Sequence, residues 1–286
     1  MPFQKIIAAA VIAASTILGI GVASAADLRV KAPPPAVAAV YDWTGFYIGV
    51  NVGGVWGDYD VSASVPPAPP NAINAAAILA ATTAGNGGAT QAGFTGGGQV
   101  GYNRQFGKGL VVGVEADLSY LGDRTTRNTG VVPVGVFLIQ DIDNVSHDWL
   151  ATFRGRLGFA TGPVLFYGTG GVALTNQRLA RTQDWSFVDG CPVVASGLQR
   201  CHLGSVSETK VGWAVGAGVE YGFTPNWTVK GEYLHADFGS SSFTTLNVGP
   251  GFVGFPQSIN HSVRSTVDIV RVGLNYRFGG PVVAKF

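Results

Sequence analysis

Two glycine runs carry the spacing of a phosphate-binding turn. Gly96-Gly97-Gly98-Gln99-Val100-Gly101 fits the dinucleotide fingerprint, and Gly168-Thr169-Gly170-Gly171-Val172-Ala173 fits its relaxed form. Such a run holds pyrophosphate only between a strand and the start of a helix. Neither is followed by a helical pattern, and a chain with 42 glycines in 286 residues produces such matches by chance. Glu115 and Asp117 have the types for paired acid and base work, but they share one strand face with Ser119, which suits inward ion pairs better. His147, His235 and His261 fall at predicted outer strand ends, with His202 beside Cys201 in a predicted outer loop. Neutral imidazole is a common metal ligand, yet unrelated polar residues at a wet rim explain these positions more simply. No Walker loop, Gly-x-Ser-x-Gly elbow or His-Glu-x-x-His run occurs. No catalytic, cofactor or metal residue is assigned, and no enzyme is expected.

Composition narrows the class. Charged residues make up 12% of the chain, with 18 Lys+Arg against 17 Asp+Glu, and hydrophobic residues make up 47%. That balance lacks the clustered basic surplus a nucleic-acid partner needs, and it lacks the low hydrophobicity of a disordered chain. Lys5 followed by the apolar run from Ile6 to Val22 and the small-x-small Ala23-Ser24-Ala25 reads as a secretory signal cut between Ala25 and Ala26. Ala26 to Asp42, with Pro33, Pro34 and Pro35, reads as an extended periplasmic linker. No later stretch is apolar enough for a transmembrane helix, so a mature chain that enters a membrane must do so as a closed β-barrel. In an exported chain the lone pair Cys191 and Cys201 is best read as a disulfide closing a small outer loop.

Eight alternating segments follow the linker: Trp43–Gly57, Gly93–Phe106, Leu110–Leu121, His147–Phe159, Val164–Gln177, Glu208–Gly222, Trp227–Gly239 and Ser262–Phe278. Each is long enough to cross a bilayer as a tilted strand. Three connections are tight, at Gly107–Gly109, Ala160–Pro163 and Phe223–Asn226. Four are long, at Asp58–Ala92, Gly122–Ser146, Arg178–Ser207 and Ser240–His261. Strict short-long alternation is the habit of outer-membrane barrels, with short periplasmic turns and long external loops. The fold class expected is therefore all-β, an eight-stranded antiparallel transmembrane barrel over 43–278.

The faces of these strands place the charges. Val270, Val272, Leu274, Tyr276 and Phe278 share one face of the last segment, with Arg271, Gly273, Asn275 and Arg277 on the other. The same analysis turns Glu115, Asp117, Glu220 and Glu232 inward with Arg154, Arg156, Lys230, Arg271 and Arg277. An eight-stranded interior is only wide enough for side chains to fill, so these nine are expected to form a lumen ion-pair network. Aromatic residues near strand ends, Trp43, Tyr47, Tyr102, Phe106, Trp149, Phe159, Trp227, Tyr276 and Phe278, are expected to form interfacial girdles.

Tyr41-Asp42-Trp43-Thr44-Gly45-Phe46-Tyr47-Ile48-Gly49, Trp227-Thr228-Val229-Lys230-Gly231-Glu232-Tyr233 and the ending Val270-Arg271-Val272-Gly273-Leu274-Asn275-Tyr276-Arg277-Phe278 resemble one family. It is the small outer-membrane β-barrel family of alphaproteobacteria, the porin-family or opacity-like surface proteins. The resemblance implies outer-membrane location, outer-membrane lipids as surroundings, and a structural or surface role without a catalytic site. It also implies an assembly signal read by the barrel-assembly machinery, with Arg271, Gly273, Tyr276 and Phe278 in its positions. Gly279–Phe286 follow as a tail, so Phe286 is a second candidate for the terminal aromatic. The leading expectation is a surface-exposed structural barrel that supports the envelope and displays loops. Two alternatives are a narrow passive channel for small solutes, and loop-mediated binding of haem, metal or a host surface. No external ligand is identified.

Overall fold

A computed structural model of the chain describes residues 41–65, 79–80, 82–134, 137–184, 201–247 and 258–278. The signal segment, most of the linker, Cys191 and the tail with Phe286 lie outside these residues. Nine strands are present among them: β1 (Gly45–Ser64), β2 (Gly87–Phe106), β3 (Leu110–Asn128), β4 (Val132–Val134), β5 (Phe137–Thr161), β6 (Val164–Asp184), β7 (Cys201–Gly222), β8 (Trp227–Asn247) and β9 (Ser258–Phe278). Eight form a ring of antiparallel neighbours, β1-β2-β3-β5-β6-β7-β8-β9, closed where β9 pairs back onto β1 from Phe46↔Phe278 to Ser64↔Asn260. β4 stands outside the ring as half of a hairpin on β5. Closure leaves the eight-stranded wall without an edge, which is what a strand protein in hydrocarbon requires.

The tight turns all lie at one end, which also receives the start of β1 and the end of β9; the long connections leave from the other. Gly107 and Gly162 adopt φ of 54° and 58° in two of these turns, a conformation that favours glycine.

The strands are longer than the alternating segments suggest. β5 runs for 25 residues and β1 for 20. At about 3.4 Å per residue and a tilt near 40°, 20 residues rise about 50 Å, roughly twice an apolar membrane band of about 25 Å. Much of what reads as long loop in Gly122–Ser146 and Arg178–Ser207 is therefore strand. The cause is an inversion of the binary pattern. In the turn-end half of β1, Phe46, Ile48, Val50 and Val52 face out, while Tyr47 and Asn51 face in. In its loop-end half, Val55, Tyr59 and Val61 face in, and Asp60 faces out. β9 does the same: Val270, Val272 and Leu274 face out, whereas Ile259, Val263, Val267 and Ile269 face in. Pairing of β1 with β9 continues unbroken through the switch. One half of the wall is dressed for lipid, and the other half is dressed for water around an apolar core.

Among the described residues, four irregularities begin at or just beyond this switch, between Tyr120 and Asp123, between His147 and Leu150, between Asp237 and Ser240, and between Trp213 and Leu203 in the β7–β8 pairing. Bulges of this kind sharpen local twist and re-aim side chains.

Candidate functional site in the barrel lumen

The lumen is a stack of layers. At the turn end, Trp43 is fully buried with Val111, Ala160, Leu165 and Tyr167, and Tyr41 packs against them. Trp43 donates from Nε1 to the Gly162 carbonyl at 3.1 Å and from its backbone N–H to Gln105 Oε1 at 2.9 Å. Arg277 lies here too, its guanidinium 4.9 Å from the Tyr41 ring centroid and 5.3 Å from that of Trp43, donating to the carbonyls of Asp42 and Thr44. This corrects two expectations. Arg277 faces inward but serves the turn-end plug, and Trp43 lines the lumen where an interfacial girdle position was expected. Tyr47 also turns inward, since its hydroxyl donates to Glu115 Oε2 at 2.7 Å.

The charged layer comes next. Four bases, Arg154, Arg156, Lys230 and Arg271, meet four acids, Glu115, Asp117, Glu220 and Glu232, all buried. Arg154 reaches Glu115 at 2.6 Å, Asp117 at 2.9 Å and Glu232 at 2.8 Å. Arg271 reaches Asp117 at 3.0 Å and Glu232 at 2.7 Å. Lys230 holds Glu115 at 3.0 Å and lies 3.6 Å from Glu232. Arg156 pairs with Glu220 and stacks over Tyr167, 3.7 Å from its ring centroid. The formal charges cancel, which is the condition under which burying ions is tolerable.

Neutral side chains complete the bonding. Thr152 donates to Asp117, and Thr228 and Asn275 donate to Glu220. Asn51 donates to Gln99 at 3.0 Å, and Gln99 donates onward to Asn275. Asn275 stands on the inward face read from the sequence, and Asn51, Gln99, Thr152 and Thr228 follow the same inward alternation. Two glycines give the large rings room: a Cβ on Gly101 would stand 2.4 Å from the Tyr47 ring, and one on Gly218 2.5 Å from the Tyr167 hydroxyl. The runs Gly96–Gly101 and Gly168–Ala173 lie wholly inside β2 and β6, so neither opens a helix.

Above the charges sits an apolar layer of Val55, Leu121, Leu150, Ala173, Ala214, Leu234, Ala236, Phe238, Val267 and Ile269. The residues next to several of these in sequence point to the outside: Trp56, Tyr120, Trp213, Tyr233 and Val270. The upper girdle and the inner apolar layer are thus built at one height by adjacent residues.

The loop-end half carries the histidines. His147 is buried, 3.2 Å from the Ser265 hydroxyl and 3.4 Å from Gln177. His261 is buried against Thr245 at 2.9 Å. His202 is the second residue of β7 and is buried, which corrects its expected place in an outer loop. His235 faces out and meets Asp268 at 2.8 Å. The four do not converge, and among the described residues no group of three or more His, Cys, Asp or Glu side chains could hold a metal ion. Near the rim, Arg181 bridges Asp141 at 2.9 Å and Asp143 at 3.3 Å, and Arg127 approaches Asp143 at 3.3 Å. Burial raises the Asp141 carboxyl to about 6, against the pull of Arg181. Burial, with Arg181 and His202 nearby, lowers His261 to about 3.

In β9, Arg271 and Gly273 face the lumen while Tyr276 and Phe278 face out, their rings 5.1 Å apart. Cys201 opens β7 and is buried.

Residues 16–278 match the family described as outer membrane protein beta-barrel domain. A 31 kDa outer-membrane immunogenic protein of Brucella melitensis is 34% identical over 262 residues, covering 90% of this chain and 93% of the relative. A 22 kDa outer membrane protein of Rhizobium leguminosarum is 33% identical over 149 residues, covering 51% of this chain and 54% of the relative. Among solved structures, the outer membrane protein OprG of Pseudomonas aeruginosa aligns over 84% of this chain and 100% of its own, with 12% identity and a TM-score of 0.44. Outer-membrane barrels as a class have short periplasmic turns and long external connections. The chain belongs to the outer membrane protein beta-barrel family and is a protein of the outer membrane.

Proposed function

We propose that this protein is a closed structural barrel that supports the envelope and displays extracellular loops without conducting solutes or catalysing a reaction. The observation that carries this reading is the double closure of the lumen. A neutral layer of eight interlocked charges lies directly beneath an apolar layer, and the side chains of both are buried. Water threading the barrel would have to separate ion pairs in a low-dielectric interior and then wet an aliphatic plug, and both steps are unfavourable. The turn-end cluster around Trp43 adds a third obstruction.

Maturation follows the same reading. The chain is exported by a signal cut between Ala25 and Ala26, closes a Cys191–Cys201 disulfide at the start of β7, and is inserted by the barrel-assembly machinery through its C-terminal strand. N-terminal sequencing of envelope protein should begin at Ala26. Liposomes loaded with the refolded mature chain should not swell in isosmotic arabinose or other small sugars. Cells lacking the protein should become sensitive to detergent, and the wild-type chain should restore resistance. Rapid sugar-driven swelling would instead support a narrow channel.

A further inference from the structure

The strand ladder of the loop-end half is interrupted in two places. β2 and β3 pair from Phe106↔Leu110 only as far as Thr95↔Leu121. Beyond that point β2 keeps β1, from Val55↔Gly93 to Val61↔Gly87, and β3 keeps β5, from Asp123↔His147 to Asn128↔Ile142. β7 and β8 likewise make no mutual pairs between Trp213↔Asp237 and Leu203↔Leu246. Above the switch the ring strands are therefore two four-stranded sheets, β3-β5-β6-β7 and β8-β9-β1-β2, that meet along two seams. Tyr59, Val61 and Val263 from one sheet pack on Val145 and Leu179 from the other. The β7–β8 seam closes again at its top. The β2–β3 seam is crossed at its upper end by a side chain, as Arg127 donates to the Gly85 and Asn86 carbonyls at 2.9 and 3.3 Å.

Each seam leaves two strand edges whose backbone groups call for partners. Three of the four edges are guarded. The free stretch of β3 carries Asp123, Arg124 and Arg127, and that of β7 carries Glu208 and Lys210; charges along an edge discourage strand pairing. On β8, the Lys210 ammonium donates to the Ser240 carbonyl at 3.2 Å. The β2 edge, Gly88-Ala89-Thr90-Gln91-Ala92, has neither a charge nor a proline, and a strand glycine such as Gly88 lets another backbone approach closely.

An acidic groove lies beside this edge. It measures about 470 Å³ on the outer face and is lined by Asp58, Asp60, Gly88, Thr90, Arg264 and Thr266. Arg264 is committed to Asp237 at 2.7 Å. Asp58 accepts from Thr90, and neither it nor Asp60 makes an ion pair among the described residues. Asp60 stands directly opposite Gly88 in the β1–β2 pairing. No side chain therefore separates Asp60 from a strand lying beyond β2, two strand spacings or about 10 Å away, which a long basic side chain spans.

We propose that the β2 edge takes up an extended peptide as an added strand in the β2–β3 seam, with a Lys or Arg of that peptide turned toward Asp60. Main-chain hydrogen bonds to Gly88–Ala92 fix its register, and the groove selects its basic side chain. β3 can give way because the Arg127 side chain, and no ladder bond, ties it to the start of β2.

The inference goes beyond the closed-barrel reading and shares with it only a loop end that faces outward; its test does not depend on conductance. The full mature chain in phosphatidylcholine nanodiscs is titrated with a labelled peptide of alternating Val and Lys, with empty nanodiscs as blank, and amide hydrogen exchange is followed. Saturable binding is expected, with protection gained at Gly88–Ala92. The same peptide with a methylated backbone, and a peptide of alternating Val and Glu, should bind at least about tenfold more weakly. Asp60→Asn, checked for folding by its heat-dependent electrophoretic shift, should weaken binding about twofold to fivefold. Absence of saturable binding, equal binding of the methylated peptide, unchanged affinity of Asp60→Asn, or protection gained only outside β2 would overturn the proposal. Any of these results, obtained while the lumen stays closed, would leave the structural-barrel reading in place, and a conducting lumen with the peptide bound would remove that reading and keep this one.

Discussion

Val55 and Trp56 are neighbours in β1 that face opposite media at one height: Val55 is fully buried in the inner apolar layer, and Trp56 is 38% exposed on the outer wall. The pair marks where the lipid-facing wall ends and the water-facing wall begins. Below it the barrel is polar inside and apolar outside. Above it the arrangement reverses, and the strands continue as a soluble-type barrel with its own core of Tyr59, Val61, Val145, Leu179 and Val263.

Glu232 is the charge whose loss should be felt most. Its carboxylate serves Arg154 at 2.8 Å and Arg271 at 2.7 Å, with Lys230 close by. Glu232→Ala leaves these cations short of one counter-charge and should destabilise the barrel by about 3–5 kcal/mol. Glu232→Gln keeps the shape and should cost as much or slightly less. Urea unfolding of refolded protein in lipid vesicles checks both, and an unchanged midpoint for Glu232→Ala would contradict the network.

Leu234 tests the apolar layer in isolation. It is fully buried between strands that also carry the charges one turn of alternation below. Leu234→Ala should cost about 2–5 kcal/mol through lost burial and a cavity. Sugar-driven swelling should remain absent, since the charged layer still closes the bore. A variant as stable as wild type would show that this layer is loosely packed.

The outer half should carry an identifiable pH dependence. The Asp141 carboxyl is raised to about 6, so the folded form holds its proton more tightly than the unfolded chain does. The stability it contributes is present below the ordinary carboxylate range near 4 and is lost as pH rises through about 6. His261, lowered to about 3, acts in the opposite sense: its contribution is present above about 6.5 and is lost as pH falls toward 3. Between pH 4 and 6.5, Asp141→Asn should therefore make the unfolding midpoint fall more steeply on acidification, and His261→Gln should flatten that fall. Parallel pH profiles for both variants and wild type would refute the assignment.

The cysteine pair concerns the loop and not the wall. The proposed Cys191–Cys201 disulfide would span nine intervening residues and should contribute about 3 kcal/mol or less, mostly to local order. Peptide mass spectrometry without reduction should recover the linked pair, and Cys201→Ser should loosen the loop to external protease while the barrel stays folded. Two free thiols in native membranes would remove the disulfide.

The barrel is legible in the sequence to an unusual depth because a strand repeats every two residues, so a charge among apolar neighbours reveals its face. Glu115 and Asp117 are read inward on that ground alone, and their buried positions follow from it. Strand length was less legible. Ile269 and Val270 are adjacent apolar residues on opposite faces, and a reader who tracks one apolar face sees the strand stop there. The doubled apolar steps Val55-Trp56, Tyr120-Leu121, Tyr233-Leu234 and Ile269-Val270 are the signal that the alternation continues with its faces exchanged. Trp43 and Arg277 were hidden for a different reason. They pack against each other and against Tyr41 across the closure of the barrel, 234 positions apart in the chain for the Trp43–Arg277 contact. No local pattern reports such a meeting.

Current through refolded mature protein in planar bilayers tests the double closure most directly. Wild type should show no steady conductance, and neither should Leu234→Ala or Glu232→Ala alone, since each leaves the other layer in place. A stable ohmic channel in wild type that survives both substitutions would contradict the closed lumen.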